Sequence, residues 1–104
     1  MTAVARGNSR DLVQTNHGCT SITTTRECSN NVIVNNIGVH RLHDKNTTHT
    51  IPCGSSCCPH SQPIQSASPN VFANNLGVAR VNDPYSGCGQ VLTGSENVFA
   101  NGGG

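Results

Sequence analysis

Tryptophan is absent from this chain, tyrosine occurs once and phenylalanine twice, and charged side chains make up only 11% of its 104 residues. So few large apolar side chains exclude a thick hydrophobic core. A single domain of this length and composition needs disulfides, a metal or a partner to complete its stability. The shortage of charge, with a formal net charge of +1, bears on two further classes. Disordered chains usually combine low hydrophobicity with high net charge. Nucleic-acid binders carry a basic stripe with interleaved aromatics, whereas the six Lys and Arg here are scattered. No apolar run approaches the ~20 residues of a membrane helix. The N-terminus shows no charged segment leading into an apolar one, so no export signal is expected, and folding in a reducing cytoplasm is. No 3.6-residue apolar period runs for ten residues, because Gly, Pro and Asn interrupt it throughout; little or no helix is expected.

What the chain has instead is Asn, Ser, Thr and Gly, arranged in a threefold repeat. Ser29-Asn30-Asn31-Val32-Ile33-Val34-Asn35-Asn36 recurs as Ser68-Pro69-Asn70-Val71-Phe72-Ala73-Asn74-Asn75, and again as Ser95-Glu96-Asn97-Val98-Phe99-Ala100-Asn101-Gly102. A second pattern follows the first two copies, Val39-His40-Arg41-Leu42-His43-Asp44 and Val78-Ala79-Arg80-Val81-Asn82-Asp83, and its third partner stands near the start in Val4-Ala5-Arg6. Such repeats set the architecture. They predict one domain over residues 1–104, made of three permuted units at about 4–36, 39–75 and 78–102, arranged as a pseudo-threefold object.

Each copy of the first pattern reads as a short strand, being rich in Val, Ile and Phe. The Asn-Asn or Asn-Gly pair that ends it suits the two positive-φ positions of a type I′ hairpin turn. The second strand is expected at Val39 to Leu42 and at Val78 to Val81, and Asp44 and Asp83 then open turns. The units differ in length between that Asp turn and the next Ser-x-Asn-Val. Those variable segments hold every Cys and three of the five His, and repeat architectures often carry their working face in such insertions.

Aligned on the apolar residue that follows, the three variable segments read His17-Gly18-Cys19-Thr20-Ser21-Ile22, His60-Ser61-Gln62-Pro63-Ile64 and Cys88-Gly89-Gln90-Val91-Leu92. A metal-binding residue type begins each one. Equivalent positions of a pseudo-threefold fold converge on its axis, so two imidazoles and a thiolate would meet there. Structural zinc takes four ligands in a tetrahedron. His49, five residues after Asp44 as Cys88 is after Asp83, supplies the fourth. The expected site is thus His17, His49, His60 and Cys88, with one Zn2+ per chain. A local knuckle that uses Cys53 or Cys58 from the dense segment His49 to His60 is the alternative, since spacing alone does not choose among His and Cys ligands. A third reading leaves the same residues as free thiols and solvated imidazoles.

His40 and His43 face copies that carry Ala79 and Asn82, and are expected at the surface. Cys19 and Cys28 are expected as free thiols, a disulfide forming only in an oxidising medium. Enzymatic activity is not expected. There are five carboxylates, Asp44 and Asp83 suit the capping of turn amides better than acid–base work, and zinc with four protein ligands has no open position.

The stretch from Ser68 to Pro84, with Val78-Ala79-Arg80 at its centre and looser copies at Val39-His40-Arg41 and Val4-Ala5-Arg6, resembles a PAAR repeat. The likeness spans nearly the whole chain, including the permuted half-unit at its start. It implies a small all-β cone of short hairpins, stiffened by a zinc near its apex with three His and one Cys. It also implies a function: capping a trimeric β-helical spike, one chain per trimer, and sharpening it for puncture of a target cell envelope. Such tips occur in contractile phage tails and in type VI secretion systems. With no toxin domain in the sequence, the resemblance favours a phage baseplate tip, made in host cytoplasm and carried on the virion. A secretion tip, a zinc knuckle that recognises protein or nucleic acid, and a secreted disulfide mini-domain are the alternatives; the knuckle would need a basic or aromatic face, and the mini-domain an export signal. Two departures from the motif stand out. Gly38-Val39 and Gly77-Val78 replace its Pro and first Ala, and the segment between Asp44 and Ser68 is enlarged and Cys-rich.

Overall fold

A computed structural model describes residues 2–100. The expected turn at Asn101-Gly102 lies outside them. Among the described residues the fold is all-β with no helix, built from short hairpins. It is longer than it is wide, at 42 × 26 × 23 Å.

Asn-Asn pairs make the two complete repeat hairpins. Strand β4 (Ile33–Val34) pairs with β5 (Ile37–Gly38), and β8 (Phe72–Ala73) pairs with β9 (Leu76–Gly77). Between them Asn35 and Asn36 have φ of 53° and 68°, and Asn74 and Asn75 have 54° and 66°. Both turn residues are therefore left-handed, as a type I′ turn requires. The third hairpin is formed by the two ends of the chain. Strand β11 (Phe99–Ala100) pairs with β1 (Thr2–Ala3), Phe99 opposite Ala3 just as Ile33 is opposite Gly38 and Phe72 opposite Gly77. The second strand of each hairpin is two residues earlier than the expected span at Val39 or Val78. It ends at Gly38 and Gly77, where a side chain would collide with the carbonyl of Ser29 or Ser68.

The Val-x-Arg segments do something else: they pair with one another. Val4 bridges Arg80, Val39 bridges Arg6 and Val78 bridges Arg41. Inside this triangle the central residues close a ring. Ala5 N–H donates to Ala79 O (2.9 Å), Ala79 N–H to His40 O (2.8 Å), and His40 N–H to Ala5 O (3.0 Å). Each unit thus satisfies its backbone on the next, and no edge is left open at the axis. The serine that opens each repeat accepts from the amide three residues on, in Ser29–Val32, Ser68–Val71 and Ser95–Val98, at 2.9–3.0 Å.

An ion pair closes each corner of the triangle. The carboxylate of Asp11, Asp44 or Asp83 accepts from the backbone N–H, Nε and Nη2 of Arg6, Arg41 or Arg80 at 2.7–3.0 Å. Asp44 and Asp83 therefore cap amides as expected and also hold the arginine. Asp11 is the third member, displaced in sequence because Asn8 and Ser9, both left-handed, lengthen its turn.

The core is correspondingly thin. One cluster joins Val4, Val39, Ala73, Val78 and Ala100; the other joins Ala5, Val13, Ile64, Ala79, Tyr85 and Val91. His40 is not at the surface. It is fully buried on the axis, in the place that Ala5 and Ala79 occupy in the other units. Its Nδ1–H donates to Glu27 O (2.6 Å) and its Nε2 accepts from the Tyr85 hydroxyl (2.8 Å). His43 is exposed, as expected, at a left-handed turn position.

Two outcomes follow. Asp83→Asn removes the negative charge beside the buried Arg80 guanidinium and should cost about 3 kcal/mol in urea unfolding. The second concerns pH. Burial lowers the pKa of His40 from its ordinary 6.5, against the smaller raising effects of the Glu27 carbonyl and of Asp44. The unfolded chain takes up this proton first as pH falls, so the stability contribution is complete above about pH 6.5 and is lost as pH drops through the folded pKa. In metal-free protein, unfolding free energies measured across that range should fall on the acid side, and His40→Gln should flatten the slope.

Candidate metal centre

The variable segments build a second, irregular half. Strand β2 (Leu12–Gln14) lies between β3 (Ile22–Thr24) and β10 (Gln90–Val91), and β6 (His49–Cys53) pairs with β7 (Ser56–His60). The β6–β7 hairpin is the longest in the protein among the described residues, and turns at Gly54-Ser55 with Gly54 at φ 63°. His49 and His60 are directly opposite each other at its open end. Paired residues share a face, so two imidazoles are brought together by register alone.

His17 arrives from the loop between β2 and β3. Thr15 ties that loop shut, its N–H donating to Ser21 O (2.9 Å) and its hydroxyl to Ser21 O (3.0 Å). The loop then docks on the edge of β6: Thr20 N–H donates to Thr50 O (3.3 Å), Thr50 N–H donates to Thr20 Oγ1 (3.2 Å), and the two hydroxyls are 2.7 Å apart. The His17 ring stacks on His49 with centroids 5.3 Å apart, and His60 stands edge-on to both at 6.0 and 5.4 Å.

The nitrogens of this cluster are set up as ligands. His49 Nδ1–H donates to Thr47 O (2.8 Å) and His17 Nδ1–H to Gly18 O (3.2 Å). A carbonyl only accepts, so the proton of each neutral ring is on Nδ1 and the lone pair is on Nε2. Both Nε2 atoms are buried and have no hydrogen-bond partner. A buried nitrogen without a partner is costly, whereas a backbone carbonyl behind the other nitrogen is the usual support of a metal-bound imidazole. One nitrogen of each of the three rings lies within 4.8 Å of the other two. His17, His49 and His60 could therefore hold a metal ion. Small rotations bring such atoms to about 3.4 Å, the edge of a tetrahedron with Zn–N bonds of ~2.1 Å.

The remaining expected ligands are disposed differently. Cys88 is a free, half-buried thiol 4.0 Å from Gln62 Nε2 and stands outside the three-histidine group. Cys53 and Cys58, the alternates, are joined in a disulfide and have no thiolate to offer. Cys19 is likewise bonded, to Cys57, while Cys28 is free. The expectation of a free thiol at Cys19 is corrected: the loop docked on β6 brings it against β7, 38 residues along the chain. The Cys53–Cys58 pair was readable in outline, since a two-residue Gly-Ser turn makes those positions diagonal neighbours on a hairpin.

His17 does not hold the repeat position expected for it. Ile64 and Val91 are equivalent, each donating its N–H to the carbonyl of its own turn aspartate, Asp44 (3.0 Å) or Asp83 (3.1 Å). The unit-one residue that donates to Asp11 O is Thr25 (2.9 Å), not Ile22. Thr25 is fully buried, with its hydroxyl donating to Arg6 O, and Ile22 is exposed. His17 thus joins His60 through a loop and not through repeat equivalence.

No family model matches this chain, and no curated protein matches it. The functional reading rests on its residues and their geometry. Replacing His49 with Ala should lower metal content from about one equivalent to near zero and reduce the melting temperature of metal-loaded protein, whereas Cys28→Ser should change neither. Elemental analysis after dialysis, paired with thermal unfolding, reads both.

Proposed function

We propose that this protein is the tip of a contractile-injection spike: one chain caps the end of a trimeric β-helical spike protein and presents a metal-stiffened point to the target cell envelope. The phage baseplate is the setting we favour, with the protein carried on the virion. Its role is structural, without catalysis or nucleic-acid binding.

A threefold set of exposed apolar side chains carries this reading. Ile33, Phe72 and Phe99 occupy the same position on the three repeat hairpins and are 52%, 57% and 46% exposed. Val32 and Val71 are exposed beside the first two. In a chain with two phenylalanines, leaving both in solvent at equivalent sites works against a monomer that ends there. A threefold partner is the natural complement, because each hairpin can meet the same surface of one subunit. The blunt end of a β-helical trimer exposes strand edges that need covering, and a cap of this shape pairs or shields three at once. The resemblance of the Val-Ala-Arg repeats to PAAR sequences supports the same role.

The metal is then Zn2+, one per chain, held by His17, His49 and His60 with Cys88 as the fourth ligand once its side chain turns toward them. Bound there, it cross-links the β2–β3 loop to the β6–β7 hairpin and stiffens the point. Serine bonds zinc less well than thiolate, so Cys88→Ser should weaken zinc retention where Cys28→Ser does not.

The cap geometry is tested by mixing this protein with a candidate spike and measuring complex mass. The expected result is one chain per trimer, and Phe72→Ser with Phe99→Ser should weaken the complex at least tenfold. A 3:3 complex, or binding that ignores both substitutions, would exclude it.

A further inference from the structure

We propose that the Cys19–Cys57 disulfide is a redox latch on the metal centre, fastening His17 over the His49–His60 pair when the protein meets oxidant. This deepens the metal reading and rests on it.

The argument starts from how unequally the three imidazoles are held. His49 and His60 belong to one hairpin and face each other by register. His17 belongs to a different segment and reaches them only because its loop lies along β6. Two features hold that loop there: the Thr20–Thr50 hydrogen bonds and the Cys19–Cys57 bond two residues from His17. The hydrogen bonds are individually weak; the disulfide is covalent. Opening it leaves the third ligand on a short tether, and a ligand that must be recaptured at each encounter holds metal less well than one already in place.

The second disulfide has a different task. Alternation along the paired strands puts His49, Ile51, Cys53, Cys58 and His60 on one face, and Thr50, Pro52, Cys57 and Pro59 on the other. Cys53–Cys58 therefore splints the hairpin near its turn, on the histidine face, and joins residues of the same hairpin. Cys19–Cys57 crosses on the opposite face and joins two segments. Only the latter bears on where His17 sits. Opposite faces also mean that the four sulfurs do not converge on one ion.

Both Cys19 and Cys57 are exposed, so a small oxidant reaches them. Closure proceeds by exchange with a low-molecular-weight disulfide such as oxidised glutathione. One S–S bond forms in the protein and one breaks in the reagent; two electrons pass from the cysteines to the reagent, which leaves as two thiols carrying the two protons. A tip assembled with its thiols reduced would exchange metal readily, and one exposed to oxidant would keep it.

Zinc alone is the probe. The protein is loaded with one equivalent, and the rate of transfer to a chromogenic chelator is followed for the oxidised chain, for the same chain reduced with a phosphine, and for the Cys19→Ser/Cys57→Ser and Cys53→Ser/Cys58→Ser double variants. We expect transfer at least tenfold faster on reduction and in the first variant, and within about threefold of the oxidised chain in the second. Equal rates for oxidised and reduced protein overturn the latch and leave the metal reading standing. Failure of every form to bind zinc overturns both. If the first variant does not fold, the Cys53→Ser/Cys58→Ser variant compared oxidised against reduced decides, since it keeps Cys19–Cys57 and lacks the other disulfide; equal rates there overturn the latch.

Discussion

Everything regular in this protein hangs on a ring of three backbone hydrogen bonds among Ala5, His40 and Ala79. A strand of three residues has almost no stability of its own. Here three extended segments of that length each donate to one neighbour and accept from the other, so none can leave without breaking two partners. The arginine that follows each central residue returns to its own turn aspartate through three hydrogen bonds, which fixes the direction in which the chain departs. The repeat hairpins are placed by this triangle. Their turn asparagines are in turn clamped to the next unit, Asn35 Nδ2 donating to Asn97 Oδ1 (2.9 Å) and Asn74 Nδ2 to Asn31 Oδ1 (2.8 Å).

This polar framework answers the problem that the composition poses. A core of valine, alanine, one isoleucine and one tyrosine buries too little apolar surface to order a chain of this length by itself. Buried ion pairs do not make up the difference in net stability, since desolvation offsets much of their attraction, but they make alternative pairings costly. The disulfides and the three-histidine cluster are concentrated in the irregular half, on the β2–β3 loop and the β6–β7 hairpin, where the repeat hydrogen bonds run out. The molecule thus divides into a symmetric part held by backbone closure and an asymmetric part held by cross-links.

Repetition was legible because it recurs in residue types with one physical meaning each. Asn-Asn marks paired left-handed residues, Ser-x-x-Val marks a capped amide, and Val-x-Arg marks an alternating strand. His40 was misread because its copies, Ala5 and Ala79, are small. Small residues at equivalent positions signal crowding at an axis as readily as they signal a surface, and the one larger member was accommodated by Tyr85 from elsewhere in the chain. Thr25 was missed as the partner of Ile64 and Val91 because its hydroxyl is satisfied by Arg6 O, which lets a polar residue take a core position. Asp11 was missed because its turn is two residues longer than the others.

Local rules were enough to determine the all-β class, the absence of helix among the described residues, the hairpin turns and the candidate histidines, because each depends on neighbours within a few residues. The assembly of the three-histidine cluster was decided by tertiary structure. His49 and His60 meet through strand register, which the hairpin turn sets, but His17 meets them only after the β2–β3 loop docks on β6. The same docking brings Cys19 against Cys57. Contacts between segments 30 or more residues apart leave no trace in local pattern when the segments are insertions outside the repeat. The three exposed hairpin residues join the two levels: the repeat named them as equivalent, and only the closed triangle put all three in solvent.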